Sequence, residues 1–298
     1  MMINPVDILS MNGEVNNKRN PYINAKGQRE LKKSIVAFVD ILGFKELVIN
    51  AKNEGRSKNL FDSFYNALST WSNHIKDMNN MASDVSFSQK KDTYIIRIFT
   101  DCILIGSPIK ISKNKYTIEG ENELWEILSI LYLFQLEMVS HGYFVRGAIS
   151  VDELYMDDVI IYGNGIIDAY EAESKQAKFP RIILTKSAES MFLEINKGFV
   201  AKQSENYLNQ YLNKDSDGYL FLNYLESIKI GDSDFQFTEH LEKHQNMIKK
   251  NLRKHNSTPH LLEKYIWAAN YHNFFCNQPP SYEKYIIDLT EYQMNVMK

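Results

Sequence analysis

A chain of 298 residues with 44% hydrophobic and 24% charged side chains has the make-up of a globular protein long enough to bury a substantial core. Its formal net charge of -3 excludes a whole-chain attraction for DNA, RNA or an anionic membrane, so partners have to be argued from local sites. Two cysteines, Cys102 and Cys276, are too few for a disulfide framework, no apolar run approaches the roughly 20 residues of a membrane span, and the opening residues lack a signal-peptide pattern, so a cytoplasmic location is expected.

In chain order, residues 1 to 30 are rich in Asn, Lys and Gly without apolar periodicity and read as an N-terminal arm, mobile or laid over a partner. Ser34-Ile-Val-Ala-Phe-Val39 is a nearly continuous apolar run, predicting a strand buried on both faces; Gly43 then permits a tight turn into a helix. Leu60, Phe61, Phe64, Leu68, Trp71 and Ile75 recur at helical spacing, predicting a long amphipathic helix. Tyr94 to Phe99 and Cys102 to Ile105 read as two strands joined at Thr100-Asp101, with Asp101 exposed on the hairpin turn.

Leu124, Ile127, Leu128, Leu131, Phe134 and Met138 mark a second core helix over residues 121–140, ended by His141-Gly142. Strand-like runs follow at 143–150, 159–162 and 181–184, with a helix at about 165–175. This order predicts an α+β fold of ferredoxin-like or palm type, a sheet with helices on one face, over residues 31–200. Residues 201–298 read as a mostly helical C-terminal extension, with amphipathic runs at 239–254 and 261–275.

The residues that carry chemistry are Asp40 and Asp101, each a carboxylate at the end of an apolar, β-branched run. Brought together by a sheet, such a pair can hold divalent metal for phosphoryl transfer. An Asp in that setting is, read alone, as often a turn or helix cap. Arg97, inside the second apolar run, reads equally as a base-contacting guanidinium or as the partner of a buried carboxylate. His240 and His244 share a helical face at i, i+4 but lack the His-Glu-x-x-His order and a third ligand, so a solvated face is expected; Asp157-Asp158 reads as a hairpin turn.

The segments Phe38-Val-Asp-Ile-Leu-Gly-Phe44 and Phe99-Thr-Asp-Cys-Ile103 resemble the two metal-binding motifs of the class III nucleotidyl cyclase catalytic domain. Val145-Arg-Gly-Ala-Ile-Ser150, Tyr162-Gly163 with Ala169-Tyr-Glu-Ala-Glu173, Phe179-Pro-Arg-Ile182, Lys264-Tyr-Ile-Trp267 and Tyr271-His-Asn273 resemble, more closely, the bacterial pyrimidine cyclases of the Pycsar anti-phage systems. The resemblance implies conversion of UTP or CTP to a 3′,5′-cyclic monophosphate and pyrophosphate by two Mg²⁺ or Mn²⁺ ions. It also implies a homodimer with intersubunit sites and a cyclic-nucleotide-activated effector protein as functional partner.

Carried onto this chain, the resemblance makes Asp40, Asp101 and the backbone carbonyl of Ile41 the metal ligands, and Ile41, Leu42, Gly43 and Phe44 the phosphate cradle. Arg97 and Ile160 fall at the base-reading positions; an apolar residue at the second favours a pyrimidine, with a lean to UTP. The family's transition-state Asn and Arg fall at Ile167 and Glu171, which cannot replace them, leaving Arg146, Lys175, Lys178 and Arg181 as candidate cations and Arg146 as the expected catalytic one. A purine cyclase and a catalytically silent nucleotide-sensing relative are the alternatives.

Overall fold

Strand β1 (Lys32–Ile41) organises the structure because alternate residues of an extended chain face opposite ways. Ile35, Ala37, Val39 and Ile41 point into the main core, while Val36 and Phe38 join a second cluster on the other side, so the strand is apolar nearly throughout. The computed structural model describes residues 20–84, 93–111, 118–200, 210–226, 234–278 and 280–292. Around β1 stand β2 (Ile95–Phe99), β3 (Cys102–Pro108), β4 (Val145–Met156), β5 (Ile161–Tyr162), β6 (Ile182–Leu184), β7 (Leu212–Lys214) and β8 (Leu220–Leu222). Their order is β2-β3-β1-β4-β6-β8-β7, with β5 paired to β4; β1 lies antiparallel to both β3 and β4, and β6 runs parallel to β4.

The described helices are α1 (Phe44–Asn53), α2 (Ser57–Asp84), α3 (Glu121–Ser140), α4 (Asn164–Lys175), α5 (Lys186–Val200), α6 (Asp234–Lys254) and α7 (Pro259–Cys276). The expected stripe on α3 is buried, with Leu124, Ile127, Leu128, Leu131, Phe134 and Met138 all without solvent exposure. Trp71 of α2 sets its ring 4.9 Å from Phe134 and donates its indole N–H to Ile130 O. These helices cover the face carrying Ile35 and Ala37.

The α+β class is as the sequence predicts, with one correction to the single helical face. Helix α4 packs on the opposite side of the sheet, where Ala169 and Ile166 meet Val36 and Phe38. It is set there by Gly163, whose φ of 143° suits glycine and whose Cβ, if present, would lie 2.2 Å from Glu153 O. A second difference lies in residues 201–298, where β7 and β8 prolong the sheet before the helices begin. Of the N-terminal arm, residues 1–19 lie outside the described residues. Residues 20–30 fold back on the sheet through buried Tyr22, whose hydroxyl donates to Ser34 Oγ, and through Asn20 Nδ2, which donates to Met156 O.

Helices α6 and α7 join through a buried polar chain that corrects the solvated reading of His244. Tyr224 O–H lies 2.7 Å from His244 Nε2, the two histidine Nδ1 atoms of His244 and His272 are 2.8 Å apart, and His272 Nε2 is 2.9 Å from Tyr285 O. A carbonyl can only accept, so His272 Nε2–H donates to Tyr285 O, His244 Nδ1–H donates to His272 Nδ1, and Tyr224 O–H donates to His244 Nε2. The arrangement uses neutral imidazoles only.

Burial depresses both rings, that of His272 to about 4. With an ordinary value of about 6.5, the unfolded chain takes up protons first as the pH falls, so this contribution to stability is present above pH 6.5 and lost toward pH 4. For His272 alone the expected loss is about 3 kcal/mol. Urea unfolding of wild type and His272→Gln between pH 7.5 and 4.5 reads it as a steeper wild-type decline; parallel curves would exclude it.

Candidate functional site

Asp40 is the penultimate residue of β1, opposite Cys102 on β3 and Arg146 on β4 in the strand register. All three lie on the face that α4 partly covers, because Asp40 follows Val36 and Phe38 at intervals of two. Asp101 arrives from the β2–β3 turn, where Thr100 adopts a φ of 54° and donates its hydroxyl to Asp101 Oδ1. The turn is tied to β1 by Ile41 N–H, which donates to Asp101 O at 3.3 Å. As a result one carboxylate oxygen each of Asp40 and Asp101, with Cys102 Sγ, lie within 4.8 Å of one another.

Burial raises the Asp40 carboxyl pKa, Arg146 opposes this, and neighbouring Asp101 adds to the rise. A cation between the two carboxylates would relieve both the desolvation and the repulsion. Cys102 is pushed up to about 12 by burial and by the carboxylates of Asp40, Asp101 and Glu173. Of the three groups the two carboxylates offer hard oxygen donors, and Cys102 adds a sulfur beside them.

The loop after Asp40 is a tight turn into α1. Ile41 is buried, Leu42 N–H donates to Phe144 O, and Gly43 takes the left-handed conformation, φ 71°, immediately before α1. No atom stands within 4 Å of where a Gly43 Cβ would be, so the glycine serves the backbone angle and leaves open space beside it. Phe44 opens α1 and anchors it by packing its ring 5.1 Å from Phe64.

Arg146 stands beside the carboxylates. Its Nε and Nη2 both lie 3.4 Å from Asp40 Oδ2, and Nε is 2.7 Å from Glu173 Oε1. Glu173, from α4, is buried; its Oε1 is held by charge and not by an aligned hydrogen bond. Burial lifts its pKa to about 7, against the pull of Arg146 and with a further push from Asp40. Sequence reading assigned Glu173 no role, although a glutamate at i+4 from Ala169 on the apolar stripe of a helix is a signal that it faces inward.

The other expected residues fall elsewhere. Arg97 extends to Asp158 in the β4–β5 turn, and Ile160 belongs to the same turn, its N–H accepted by Asp157 Oδ1. The two base-reading candidates thus both fall at the β4–β5 turn. Lys175 is exposed and paired with Glu171 at 3.0 Å, and Lys178 is exposed.

Arg181 is corrected outright as a candidate cation. It has no solvent exposure, pairs with Asp215 and Asp217, and lies 5.4 Å from the Phe179 ring and 5.6 Å from that of Trp267. Without solvent exposure it cannot reach a ligand, whereas Arg146 is partly exposed.

No family model matches the chain, and no curated protein does. Among solved structures the chain is similar to the adenylyl cyclase CyaB from P. aeruginosa, at 18% identity over 56% of this chain and 83% of that one, with a TM-score of 0.39. It is also similar to a class III adenylyl cyclase-like ATP-binding protein from Pseudomonas aeruginosa, at 11% identity over 80% of this chain and 48% of that one, with a TM-score of 0.37.

Proposed function

We propose that the chain is a nucleotidyl cyclase that closes the ribose 3′-hydroxyl of UTP or CTP onto the α-phosphate, releasing pyrophosphate. The observation that carries this reading is the convergence of Asp40 and Asp101 beside Arg146, next to a glycine turn that opens a helix. Divalent ions held by these carboxylates would acidify the 3′-hydroxyl and bind the β- and γ-phosphates. Gly43 lets phosphate oxygens approach the first turn of α1, whose N–H groups have no intrahelical acceptor. Arg146, which pairs with Asp40 and Glu173, would be the cation that meets the negative charge building on the phosphates.

The pyrimidine assignment rests on the family resemblance and on the apolar Ile160 beside Arg97 at the β4–β5 turn. A guanidinium can donate to a pyrimidine carbonyl, while an isoleucine offers no polar readout of a purine edge. The homodimer with intersubunit sites is supported by exposed apolar side chains: Phe99 on β2, Val159, Ile160 and Tyr162 around the β4–β5 turn, and Ile167 and Tyr170 on α4. Such a pairing would bring one subunit's Arg97 and Ile160 to the other's Asp40 and Asp101. Among the described residues no helix is long and apolar enough to cross a membrane. The cytoplasmic location, and an effector in anti-phage defence activated by the cyclic product, rest on the family resemblance.

Incubation with each of ATP, GTP, UTP and CTP in Mn²⁺, with products separated by chromatography, tests the reading. The expected result is cyclic UMP, or cyclic CMP, with stoichiometric pyrophosphate. A cyclic purine product would reassign the substrate, and triphosphate binding with no product from any of the four would make the chain a silent relative.

A further inference from the structure

Arg146 is aimed at Asp40 but does not close on it. Its Nε and Nη2 both donate to Asp40 Oδ2 from 3.4 Å, whereas a charge-assisted bond between a guanidinium and a carboxylate runs at about 2.7–2.9 Å. The contact of that length goes instead to Glu173, 2.7 Å from Nε to Oε1. The second oxygen of Asp40, Oδ1, has the Cys102 thiol 3.9 Å away.

Glu173 is placed there by the backbone of α4, whose buried face carries Gly165, Ala169, Ala172 and Glu173. Gly165 brings the helix so near the sheet that a Cβ on it would stand 2.7 Å from Val36 Cγ2, and Ser150 Oγ of β4 donates to Gly165 O at 2.6 Å. The Glu173 side chain is only 4% exposed, and it sits in the last turn of α4. Burial disfavours its charge and so does the negative end of the helix dipole. A neutral side chain would pack there at lower cost if folding were the only task.

We propose that Glu173 is a positioning residue that holds Arg146 off Asp40 and so keeps that carboxylate open to a divalent ion. The inference rests on the metal-binding part of the reading above. With Glu173 made neutral, the guanidinium has roughly half an ångström to advance before it forms a two-pronged pair over both Asp40 oxygens. A carboxylate engaged in that way is a poor metal ligand. The rival reading is charge alone, in which Glu173 helps a metal merely as one more negative group nearby. Lysine separates the two, since it keeps the charge of arginine and lacks the fork.

Mn²⁺ binding to the full-length protein, read from loss of the free-ion electron paramagnetic resonance signal, tests this without turnover. At pH 8 Glu173, with a pKa of about 7, is ionised. Glu173→Gln, which keeps the size of the side chain, is expected to weaken Mn²⁺ binding about tenfold. Glu173→Gln combined with Arg146→Met, and Glu173→Gln combined with Arg146→Lys, are both expected to return to within about threefold of wild type. A folding defect would not be repaired by a second substitution, so recovery also reports an intact fold. Wild-type affinity in Glu173→Gln, or failure of Arg146→Lys to restore binding, would overturn the inference. No Mn²⁺ binding by wild type would overturn it together with the metal reading. The expected pattern in a protein that cyclises none of the four triphosphates would uphold the role of Glu173 and remove the cyclase reading.

Discussion

Asp101→Ala is expected to lower cyclic-nucleotide formation by on the order of 10³-fold or more, a loss of about 4 kcal/mol in transition-state stabilisation, while leaving the melting temperature within about 2 °C of wild type. The two halves of this expectation come from different features. Asp101 stands on a turn with a hydroxyl donor, Thr100, and in no ion pair, so its removal breaks little of the fold. What is lost is one of the two carboxylates that converge within 4.8 Å, and with it half of the negative charge that would hold divalent ions there.

Asp40→Ala is a poorer experiment because it also strips Arg146 of one of its two carboxylate partners. Product formation within tenfold of wild type by Asp101→Ala, measured at saturating Mn²⁺, would exclude the metal role. Unchanged activity would leave Asp101 as the turn cap that its sequence setting equally allows.

The second large effect is on stability. Arg181→Ala is expected to cost about 3–5 kcal/mol, because it leaves the charges of Asp215 and Asp217 without their buried partner. For a chain of this size that corresponds to a fall of roughly 10 °C in melting temperature. The arginine also joins three elements: its carbonyl accepts Gly147 N–H from β4, its guanidinium holds the β7–β8 turn, and Asp215 in that turn accepts the Trp267 indole N–H from α7.

Arg181→Lys should recover little, since one ammonium cannot serve two carboxylates in the fork geometry of a guanidinium. Thermal unfolding followed by circular dichroism reads both variants. A shift below about 2 °C for Arg181→Ala would mean that the network contributes little beyond its own desolvation.

Some parts of the molecule were legible in the residue order. The apolar run Ile35 to Val39, the stripe from Leu124 to Met138 and the Thr100-Asp101 hairpin each carry a periodicity or turn signal strong enough to place β1, α3 and the β2–β3 turn. Asp40 and Asp101 could be singled out because a carboxylate ending an apolar strand is conspicuous. The strands β7 and β8 were not legible, because three residues each are too few for a pattern to show.

Other features depend on segments far apart in the chain. Arg181 and Arg146 look alike in sequence, each near an apolar strand, yet one is enclosed by Asp215, Asp217 and aromatic rings while the other lies beside Asp40. His244 reads as surface on its own helix and is buried only because Tyr224 and His272 close over it. The sequence by itself determined β1, the β2–β3 hairpin, the main core helices and the two carboxylates, since these rest on local periodicity and residue chemistry. Which cation stands beside those carboxylates, Arg146 held by Asp40 and by Glu173 of α4, only the tertiary structure decided, because a charge acts through space and its neighbours are chosen by packing.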